Sequence, residues 1–340
     1  MSKDLVLVTG GSGLTGYACV AHALKSGYRV RTTVRRESAI KEIEGAPTSQ
    51  EFAANLEVVL VPDMTKDDAF LQALQGVTYV LHVASPMANK TESLDEEHTI
   101  APAVHGTTGI LKSALKVPSI KRVVITSTVL VVLGSSDSEI YNETTIQPIP
   151  PGPFTAPGPA YFASKRLAYR ATRDFIASNK PSYTVVNLMP TYIVGRWELA
   201  SSPAVLTGGS NGIALSSVIG GSRPYPPPGI SVHVTDVARA HVEAMTNEQI
   251  KTHEDFILNA DGTEGVVWTD AIKIAEKHFP EAVAKGILPL GGTTKTARGK
   301  ADGSKAEKVF GMKMIGFEEQ IVSLVGQYVE LTEKEQGQKA

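Results

Sequence analysis

Leu5 to Gly16 reads LVLVTGGSGLTG, and this stretch decides the fold. The continuous Leu/Val run is typical of a strand that is buried on both faces. The glycines at Gly10, Gly13 and Gly16 allow a tight turn that brings bare backbone close to a ligand. Residues 17–25 follow at helical spacing. Because phosphate binds at the N-terminus of a helix, a strand, turn and helix in this order predict a dinucleotide-binding βα turn.

Composition favours a soluble protein that handles a small molecule. The 340 residues are 42% hydrophobic, and the net charge of −2 provides no basic surface for nucleic acid or an anionic membrane. The first strand starts within four residues of Met1, which predicts that there is no targeting peptide, and no apolar run is long enough to span a membrane. The single cysteine, Cys19, stands among small apolar residues. We therefore expect a buried thiol and a reducing, cytoplasmic location.

Alternating strand and helix patterns continue along the chain. Strands are predicted over residues 28–34, 56–61, 79–84, 122–132, 183–189, 232–236 and 256–259. Helices are predicted over 67–75, 94–116, 161–179, 237–245, 270–278 and 317–330, with a frayed tail from Thr332. Gly, Ser and Pro accumulate over 200–229, which predicts an irregular cover for an active site.

This pattern predicts an α/β protein with a doubly wound parallel sheet, the Rossmann fold, and a smaller C-terminal lobe. The nucleotide-binding domain is expected over residues 1–195, with 230–262 returning to it. Residues 196–335 are expected to form mainly the substrate-binding lobe.

The end of the second strand decides between cofactors. An acidic residue there binds the ribose 2′-hydroxyl of NAD, whereas arginine accommodates the 2′-phosphate of NADP. The sequence runs Arg35-Arg36 and has no acidic residue before Glu37. It therefore predicts NADP(H), with Arg35 as the main phosphate contact and Arg36 or Lys41 assisting. The alternative is an ordinary solvated basic edge.

Two polar side chains near the predicted strand ends have competing interpretations. Asp63 follows the third strand, where a carboxylate accepts from the adenine amino group or caps a helix. His82 lies inside an apolar strand, which favours a core histidine over a ligand. No metal site is predicted, since the chain has one cysteine and no His pair at metal-binding spacing. A hydrolase is also disfavoured because no serine stands in a G-x-S-x-G motif.

Tyr161-Phe-Ala-Ser-Lys165 carries the predicted chemistry. Four residues apart on a helix, Tyr161 and Lys165 lie on one face, and the ammonium lowers the tyrosine pKa so that the phenol can pass a proton to a carbonyl oxygen. Thr126, Ser127 and Thr128, at the end of the fifth strand, supply a hydroxyl for the same oxygen. These groups predict hydride transfer from a nicotinamide to a carbonyl carbon, with Lys165 also contacting the ribose.

The motifs TGGSGLTG, HVASP, ITST, YFASK and NLMPTYIVG together resemble the extended short-chain dehydrogenase/reductases. The resemblance is closest to the branch that contains dihydroflavonol reductases, cinnamoyl reductases and fungal and yeast aldehyde or carbonyl reductases. It implies a catalytic Ser, Tyr and Lys, which correspond to Thr128, Tyr161 and Lys165, with Ser127 as the reserve for the hydroxyl. The cofactor contacts that the resemblance implies are Gly10, Ser12, Gly13, Leu14, Thr15, Arg35, Asp63, Met64, Val83, Ala84, Ser85, Pro190 and Val194, together with Ser127, Tyr161 and Lys165.

Two departures from these relatives bear on the substrate. Leu133 replaces the asparagine with which dihydroflavonol reductases bind a polyphenol, and GPAYFASK replaces the cysteine-bearing NWYCYGK segment of plant cinnamoyl-CoA reductases. Both changes make the pocket more apolar and favour a simple aryl or alkyl aldehyde or ketone. The candidate pocket residues are Pro86, Met87, Leu133, Phe154, Tyr192, Trp197 and Tyr225.

The sequence therefore predicts an NADPH-dependent reductase of aldehydes or ketones, active as a monomer or homodimer. A nucleotide-sugar epimerase or dehydratase is the nearest alternative, but residues 200–229 offer only Arg223 to bind a diphosphate. A hydroxysteroid-type dehydrogenase is a further alternative. A non-catalytic NADP-sensing regulator is the alternative from another class, and the retained Tyr161 and Lys165 count against it.

Overall fold

The structure, a computed structural model, describes residues 4–85, 100–136, 138–154 and 157–338. The chain separates into two units, which are described one at a time. The first consists of Met1–Gly134, Glu143–Met189 and Ala238–Phe256. The second consists of Ser135–Asn142, Pro190–Val237 and Ile257–Ala340.

A seven-stranded sheet in the order β3-β2-β1-β4-β5-β6-β9 organises the fold, and β7 and β8 form a separate parallel pair. The strands are β1 (Leu5–Thr9), β2 (Arg29–Val34), β3 (Leu56–Leu60), β4 (Tyr79–His82), β5 (Arg122–Thr126), β6 (Thr184–Pro190), β7 (Tyr192–Val194), β8 (Ser231–His233) and β9 (Glu254–Leu258). The neighbours from β3 through β6 pair in parallel. This order reverses direction at β1, so the predicted doubly wound fold is confirmed.

Helices connect the strands and form most of the second unit. They are α1 (Leu14–Lys25), α2 (Ser38–Glu44), α3 (Pro47–Glu51), α4 (Ala101–Leu115), α5 (Pro157–Asn179), α6 (Pro203–Leu206), α7 (Gly209–Val218), α8 (Val234–Thr246), α9 (Asp270–His278), α10 (Pro280–Ala284), α11 (Ser304–Phe310) and α12 (Phe317–Gly337). Within the described ranges, none of these helices is both long and apolar enough to cross a membrane.

The core of the first unit lies between the sheet and the helices α4 and α5. Leu7 of β1 and Val123 of β5 are completely buried, together with Ile110 of α4. Phe175 of α5 packs into the same cluster. Side chains of successive strand residues point to opposite faces, so a run buried on both faces must be apolar throughout. Cys19 is also buried, and burial raises the pKa of its thiol, which makes the thiol inert.

The second unit has a separate core. Trp268 is fully buried and packs edge-on against the rings of Tyr192 and Phe317, with ring centroids 5.8 and 5.7 Å apart. Leu215 of α7 and Leu324 of α12 belong to the same buried cluster. The core of this unit is therefore formed by aromatic and aliphatic side chains from its helices, from β7 and from the turn before α9.

The helix predicted over residues 67–75 is wrong. The chain there forms a succession of turns, because Asp68 adopts a left-handed conformation with φ of 56°. Its carboxylate accepts from Nζ of Lys116 at 2.7 Å, a contact made 48 residues away in sequence. Apolar spacing alone does not reveal such a tertiary contact.

Other predicted boundaries also need correction. The strand predicted over 122–132 ends at Thr126, and a 3₁₀ turn at Val129–Val131 follows it. The strand predicted over 232–236 ends at His233, where α8 begins directly. The stretch 200–229 contains α6 and α7 rather than only irregular chain, and α12 continues to Gly337 where a frayed tail was expected. The helix predicted over 94–116 is α4, and residues 94–99 lie outside the described residues.

Close backbone contacts fix the turn between β1 and α1. Gly10 has φ of +74°, and a Cβ there would lie 2.9 Å from Cα of Ala84 in the segment that follows β4. A Cβ on Gly16 would overlap the carbonyl oxygen of Gly10. Both obstructing atoms, Cα of Ala84 and the carbonyl oxygen of Gly10, belong to the backbone and cannot move aside as a flexible side chain could. The turn therefore tolerates no larger residue at Gly10 or Gly16.

We expect Gly16→Ala to lower the free energy of unfolding by about 1 to 3 kcal/mol, because the new methyl group must displace backbone. Urea denaturation followed by circular dichroism measures the change. Gly109→Ala in α4 is the matched control. Its Cβ would lie 3.7 Å from the nearest atom, the carbonyl oxygen of Met64, so we expect no loss of stability. Equal stability of the two variants would contradict the packing that the structure shows at Gly16.

Candidate active site

The N-terminus of α1 presents bare backbone. Gly13 is its N-cap residue, and no side chain of the described residues caps the helix. The amide of Tyr17 donates to the carbonyl oxygen of Gly13 at 2.9 Å, so the first turn is regular. Ser12, Leu14 and Thr15 are half-buried around it. The first amides of a helix have no intrahelical partner and favour an anion, so this turn fits the pyrophosphate of a dinucleotide.

The predicted 2′-phosphate contacts lie at the surface. Arg35 and Arg36 follow β2 directly, and both are exposed, as is Lys41 of α2. Neither arginine forms an ion pair within the part of the chain that the structure describes. Both guanidinium groups are therefore available to a ligand phosphate.

Asp63 and Met64 both contact other residues of the chain. Oδ1 of Asp63 accepts from the amide and the hydroxyl of Thr65, at 2.9 and 2.6 Å. These hydrogen bonds lower the pKa of the Asp63 carboxyl. The carboxylate thus caps a turn rather than a helix. The side chain of Met64 packs towards Gly106 of α4.

The segment after β4 is tied to β1. The amide of Ala84 donates to Oγ1 of Thr9 at 3.0 Å, and the same oxygen lies 3.0 Å from Nδ1 of His82. His82 is buried, and among the described residues Nε2 of its ring has no partner. Burial, assisted by the charge of Lys165, lowers the pKa of His82 to about 3, so the ring is neutral. Val83 lies between His82 and Ala84.

Tyr161 and Lys165 lie one helical turn apart on α5. Nζ of Lys165 lies 5.7 Å from the centre of the Tyr161 ring, and the ring is 40% exposed. The same Nζ donates to Oγ of Ser85 at 2.9 Å. Desolvation lowers the pKa of Lys165 to about 8. The structure therefore brings the phenol, the ammonium and the exit of β4 together.

The three hydroxyls at the end of β5 have different surroundings. Oγ1 of Thr126 lies 2.7 Å from Nε2 of His241 in α8. Ser127 lines a cavity of about 20 Å³ together with Lys165. Thr128 is buried, and its Oγ1 accepts from the amide of Leu130 at 3.3 Å, which caps the 3₁₀ turn.

The candidate substrate and nicotinamide residues are distributed over both units. Leu133 is buried and Phe154 half-buried in the first unit, whereas Pro190, Tyr192, Val194, Trp197 and Tyr225 belong to the second. Within the second unit, Val194 lies in the core and Tyr192 and Trp197 pack against it, while Tyr225 is 82% exposed. Pro86 and Met87 lie outside the described residues.

The sequence analysis did not identify two polar residues that line the cavity beside Lys165. Tyr169 and Asn187 line the same cavity as Lys165 and Ser127. The spacing of Tyr169, four residues after Lys165, places it on the same helix face and was a usable signal. Asn187 lies in β6, and no local pattern connects it to α5.

Comparison with known proteins places this geometry in a family. Residues 6–258 match the model of the NAD dependent epimerase/dehydratase family. The chain belongs to this family. Its resemblance to the extended short-chain dehydrogenase/reductases is thereby confirmed, and it is an oxidoreductase of that type.

Individual relatives agree with this assignment. Ketoreductase CTB6 of Cercospora nicotianae is 31% identical over 99% of this chain and 98% of its own. Aldehyde reductase 2 of Sporidiobolus salmonicolor is 27% identical over 84% of each chain. Among solved structures, yeast methylglyoxal/isovaleraldehyde reductase Gre2 complexed with NADPH has a TM-score of 0.79 and 25% identity, covering 96% of this chain and 98% of its own.

The desolvated ammonium of Lys165 predicts a pH-dependent change in stability. Below about pH 8 the lysine is charged in both the folded and the unfolded chain, so the folded state bears the desolvation penalty. As the pH rises from about 8 towards the unfolded value of 10.5, the folded lysine loses its proton first and the penalty disappears. We therefore expect Lys165→Met to increase stability relative to the wild type near neutral pH, and this gain to shrink at alkaline pH.

Urea denaturation at about pH 7 and about pH 9.5 measures this difference. Lys112→Met is the control, since Lys112 lies on the exposed side of α4. Its effect on stability should be the same at both pH values. If the change in stability caused by Lys165→Met were also the same at both pH values, the ammonium of Lys165 would not be desolvated.

Proposed function

We propose that the chain is an NADPH-dependent reductase that converts an aldehyde or a ketone into the alcohol. One observation carries the proposal: Nζ of Lys165 lies 5.7 Å from the centre of the Tyr161 ring and 2.9 Å from Oγ of Ser85, which follows the strand next to β1. The proposed acid, Tyr161, and the cation that modulates it, Lys165, thus lie close together at the predicted nicotinamide end of the dinucleotide site. The ketoreductase and aldehyde reductase relatives support the same class of reaction.

Tyr161 is the proposed proton donor. A nicotinamide held at this site would supply a hydride to the carbonyl carbon, and the carbonyl oxygen would keep the electron pair of the carbon–oxygen π bond. The oxygen then takes the phenolic proton of Tyr161, which leaves an alcohol and a phenolate. Lys165 stabilises this phenolate through its positive charge and also contacts the ribose.

Thr128 is the proposed hydroxyl that holds the carbonyl oxygen. Its Oγ1 already accepts from the amide of Leu130, so its own proton remains to be donated. Thr126 is a weaker candidate because its hydroxyl contacts His241. Ser127 is the alternative, since it lines the cavity beside Lys165.

NADP(H) is the proposed cofactor. Arg35 and Arg36 are exposed at the end of β2, where a 2′-phosphate is expected, and neither is neutralised by a carboxylate among the described residues. The N-terminus of α1, with Gly13 as its N-cap, fits the pyrophosphate. The structures of Gre2 complexed with NADPH support the choice by similarity.

An apolar or aryl carbonyl compound is the proposed substrate. Within the first unit, the predicted substrate residues Leu133 and Phe154 are apolar, the first buried and the second half-buried. Nucleotide-sugar chemistry is less well supported, because Arg223 is the one cation in residues 200–229. Its guanidinium lies close to Gly212 of α7.

The decisive experiment measures NADPH and NADH consumption against aryl ketones, cinnamaldehyde and dihydroquercetin, for the wild type and for Tyr161→Phe. We expect NADPH-dependent turnover of the ketones or the aldehyde. Because Tyr161→Phe removes the general acid, kcat should fall by about 10² to 10⁴ while NADPH binding, measured by calorimetry, is retained. Turnover of dihydroquercetin alone would contradict the apolar substrate class. Wild-type protein that binds NADPH but oxidises none with any carbonyl would favour the NADP-sensing regulator.

A second experiment tests the cofactor assignment. Arg35→Ser should raise the KM for NADPH about 10- to 100-fold, the size of one lost charged hydrogen bond, and leave the KM for NADH unchanged. Arg29→Ser is the matched control, since Arg29 is exposed at the opposite end of β2. An equal change in KM for both cofactors would place the 2′-phosphate elsewhere.

A further inference from the structure

The helix face that carries Tyr161 and Lys165 continues with a third polar side chain. Tyr169 follows Lys165 by one turn, and its hydroxyl donates to Oδ2 of Asp255 at 2.7 Å. The other oxygen of this carboxylate, Oδ1, accepts from Nδ2 of Asn187 at 2.8 Å. Asp255 is 9% exposed. A buried carboxylate is thus held by one donor from α5 and one from the sheet.

This hydrogen-bonded group ties α5 to two neighbouring strands. Asn187 lies in β6 and Asp255 in β9, which are adjacent in the sheet. One turn further along α5, Nη1 of Arg173 lies 3.7 Å from Oδ2 of Asp255 and adds a positive charge. Burial and the carboxylate both raise the pKa of Tyr169, so its hydroxyl stays protonated and keeps donating.

A small cavity interrupts the packing of α5 against the sheet at this point. The cavity of about 20 Å³ separates Lys165 and Tyr169 from Ser127 of the β5 exit and Asn187 of β6, and it has room for about one water molecule. Side chains that line a void lack contact atoms on that side. The bond from Tyr169 to Asp255 therefore adds a directional link between this turn and the strands β6 and β9, whereas the neighbouring Arg166 donates to the carbonyl oxygens of Leu130 and Leu133 after β5.

We propose that Tyr169 is a positioning residue of the active site: through Asp255 it holds α5 at the distance from the sheet at which Lys165 meets Ser85. This inference rests on the proposed function. Lys165 reaches from α5 to Oγ of Ser85 at 2.9 Å, so a small displacement of the helix breaks the contact. The bond of Tyr169, one turn further along the same face, resists such a displacement.

Tyr169→Phe keeps the ring and removes only the hydroxyl. We expect kcat to fall at least tenfold, since misplacement of a catalytic group by about 1 Å costs up to 10²-fold, while the KM values for NADPH and the carbonyl change less than about threefold. The alkaline limb of the kcat–pH profile should move to higher pH, because a displaced Lys165 is better hydrated and its pKa rises from about 8.

The titratable groups around Lys165 determine how a shift of the alkaline limb of the kcat–pH profile is interpreted. On its own helix they are Tyr161 and Tyr169, and β4 contributes His82, which is neutral. Within the described residues, α4 brings only the hydroxyl of Thr107 to the cavity, and β5 and β6 bring hydroxyls and an amide. The charges of Asp255 and Arg173 face each other beyond Tyr169.

Tyr183→Phe is the matched control. Tyr183 is buried in the same unit, and its hydroxyl donates to the carbonyl oxygen of Leu111 at 2.7 Å, away from Lys165. It should lower the urea midpoint without changing kcat or the pH profile. Asp255→Asn provides a second test, since Tyr169→Phe should have a smaller effect in that background if Tyr169 acts through Asp255.

Three outcomes are distinguishable. A Tyr169→Phe variant that resembles Tyr183→Phe, with lower stability and an unchanged kcat and pH profile, overturns the positioning role and leaves the proposed function intact. Additive effects of Tyr169→Phe and Asp255→Asn on kcat overturn it as well. Full activity of Tyr161→Phe overturns the proposed function, and the inference then fails with it.

Discussion

The close approach between the exits of β1 and β4 is the constraint on which the rest of the site depends. Gly10 leaves no room for a side chain beside Ala84, and the hydroxyl of Thr9 fixes the amide of Ala84 at 3.0 Å. Ser85 is the next residue, and it accepts the hydrogen bond of Lys165. A larger residue at Gly10 would therefore displace more than a phosphate-binding turn. It would move Ser85 and, through it, the ammonium that modulates Tyr161.

Lys165 shows why such a site costs stability. An ammonium that makes one hydrogen bond within the described residues, to Ser85, and otherwise faces a small cavity is poorly solvated, which is the reason that its pKa is lowered. The same desolvation strengthens its electrostatic effect on the nearby phenol, because fewer water molecules screen the charge. The penalty to the fold and the benefit to proton transfer thus have one cause. Replacing the lysine therefore stabilises the fold but weakens proton transfer.

The sequence was sufficient for the features that local pattern encodes. The glycine turn, the parallel order of the sheet and the shared helix face of Tyr161 and Lys165 each follow from residue type and spacing. The turns at 67–75 did not, because the left-handed Asp68 is tied to Lys116 by a tertiary contact. The role of Asp63 as a turn cap also depends on Thr65 and not on a helix. The residue roles, the lobe boundaries and the cytoplasmic location stay predictions.

The hydrogen bonds of Asp255 impose a directional constraint that apolar packing does not provide. Hydrophobic burial of a helix against a sheet is non-directional, so it does not by itself define the angle and distance of an individual polar contact. A buried carboxylate is different, since both oxygens require donors at defined angles and an unsatisfied one is expensive. By taking one donor from Tyr169 and another from Asn187, it fixes the helix relative to β6. With a rise of about 1.5 Å per residue, α5 is a rigid rod over the two turns from Tyr169 back to Tyr161. A bond at one end of this segment therefore sets the position of the reactive group at the other.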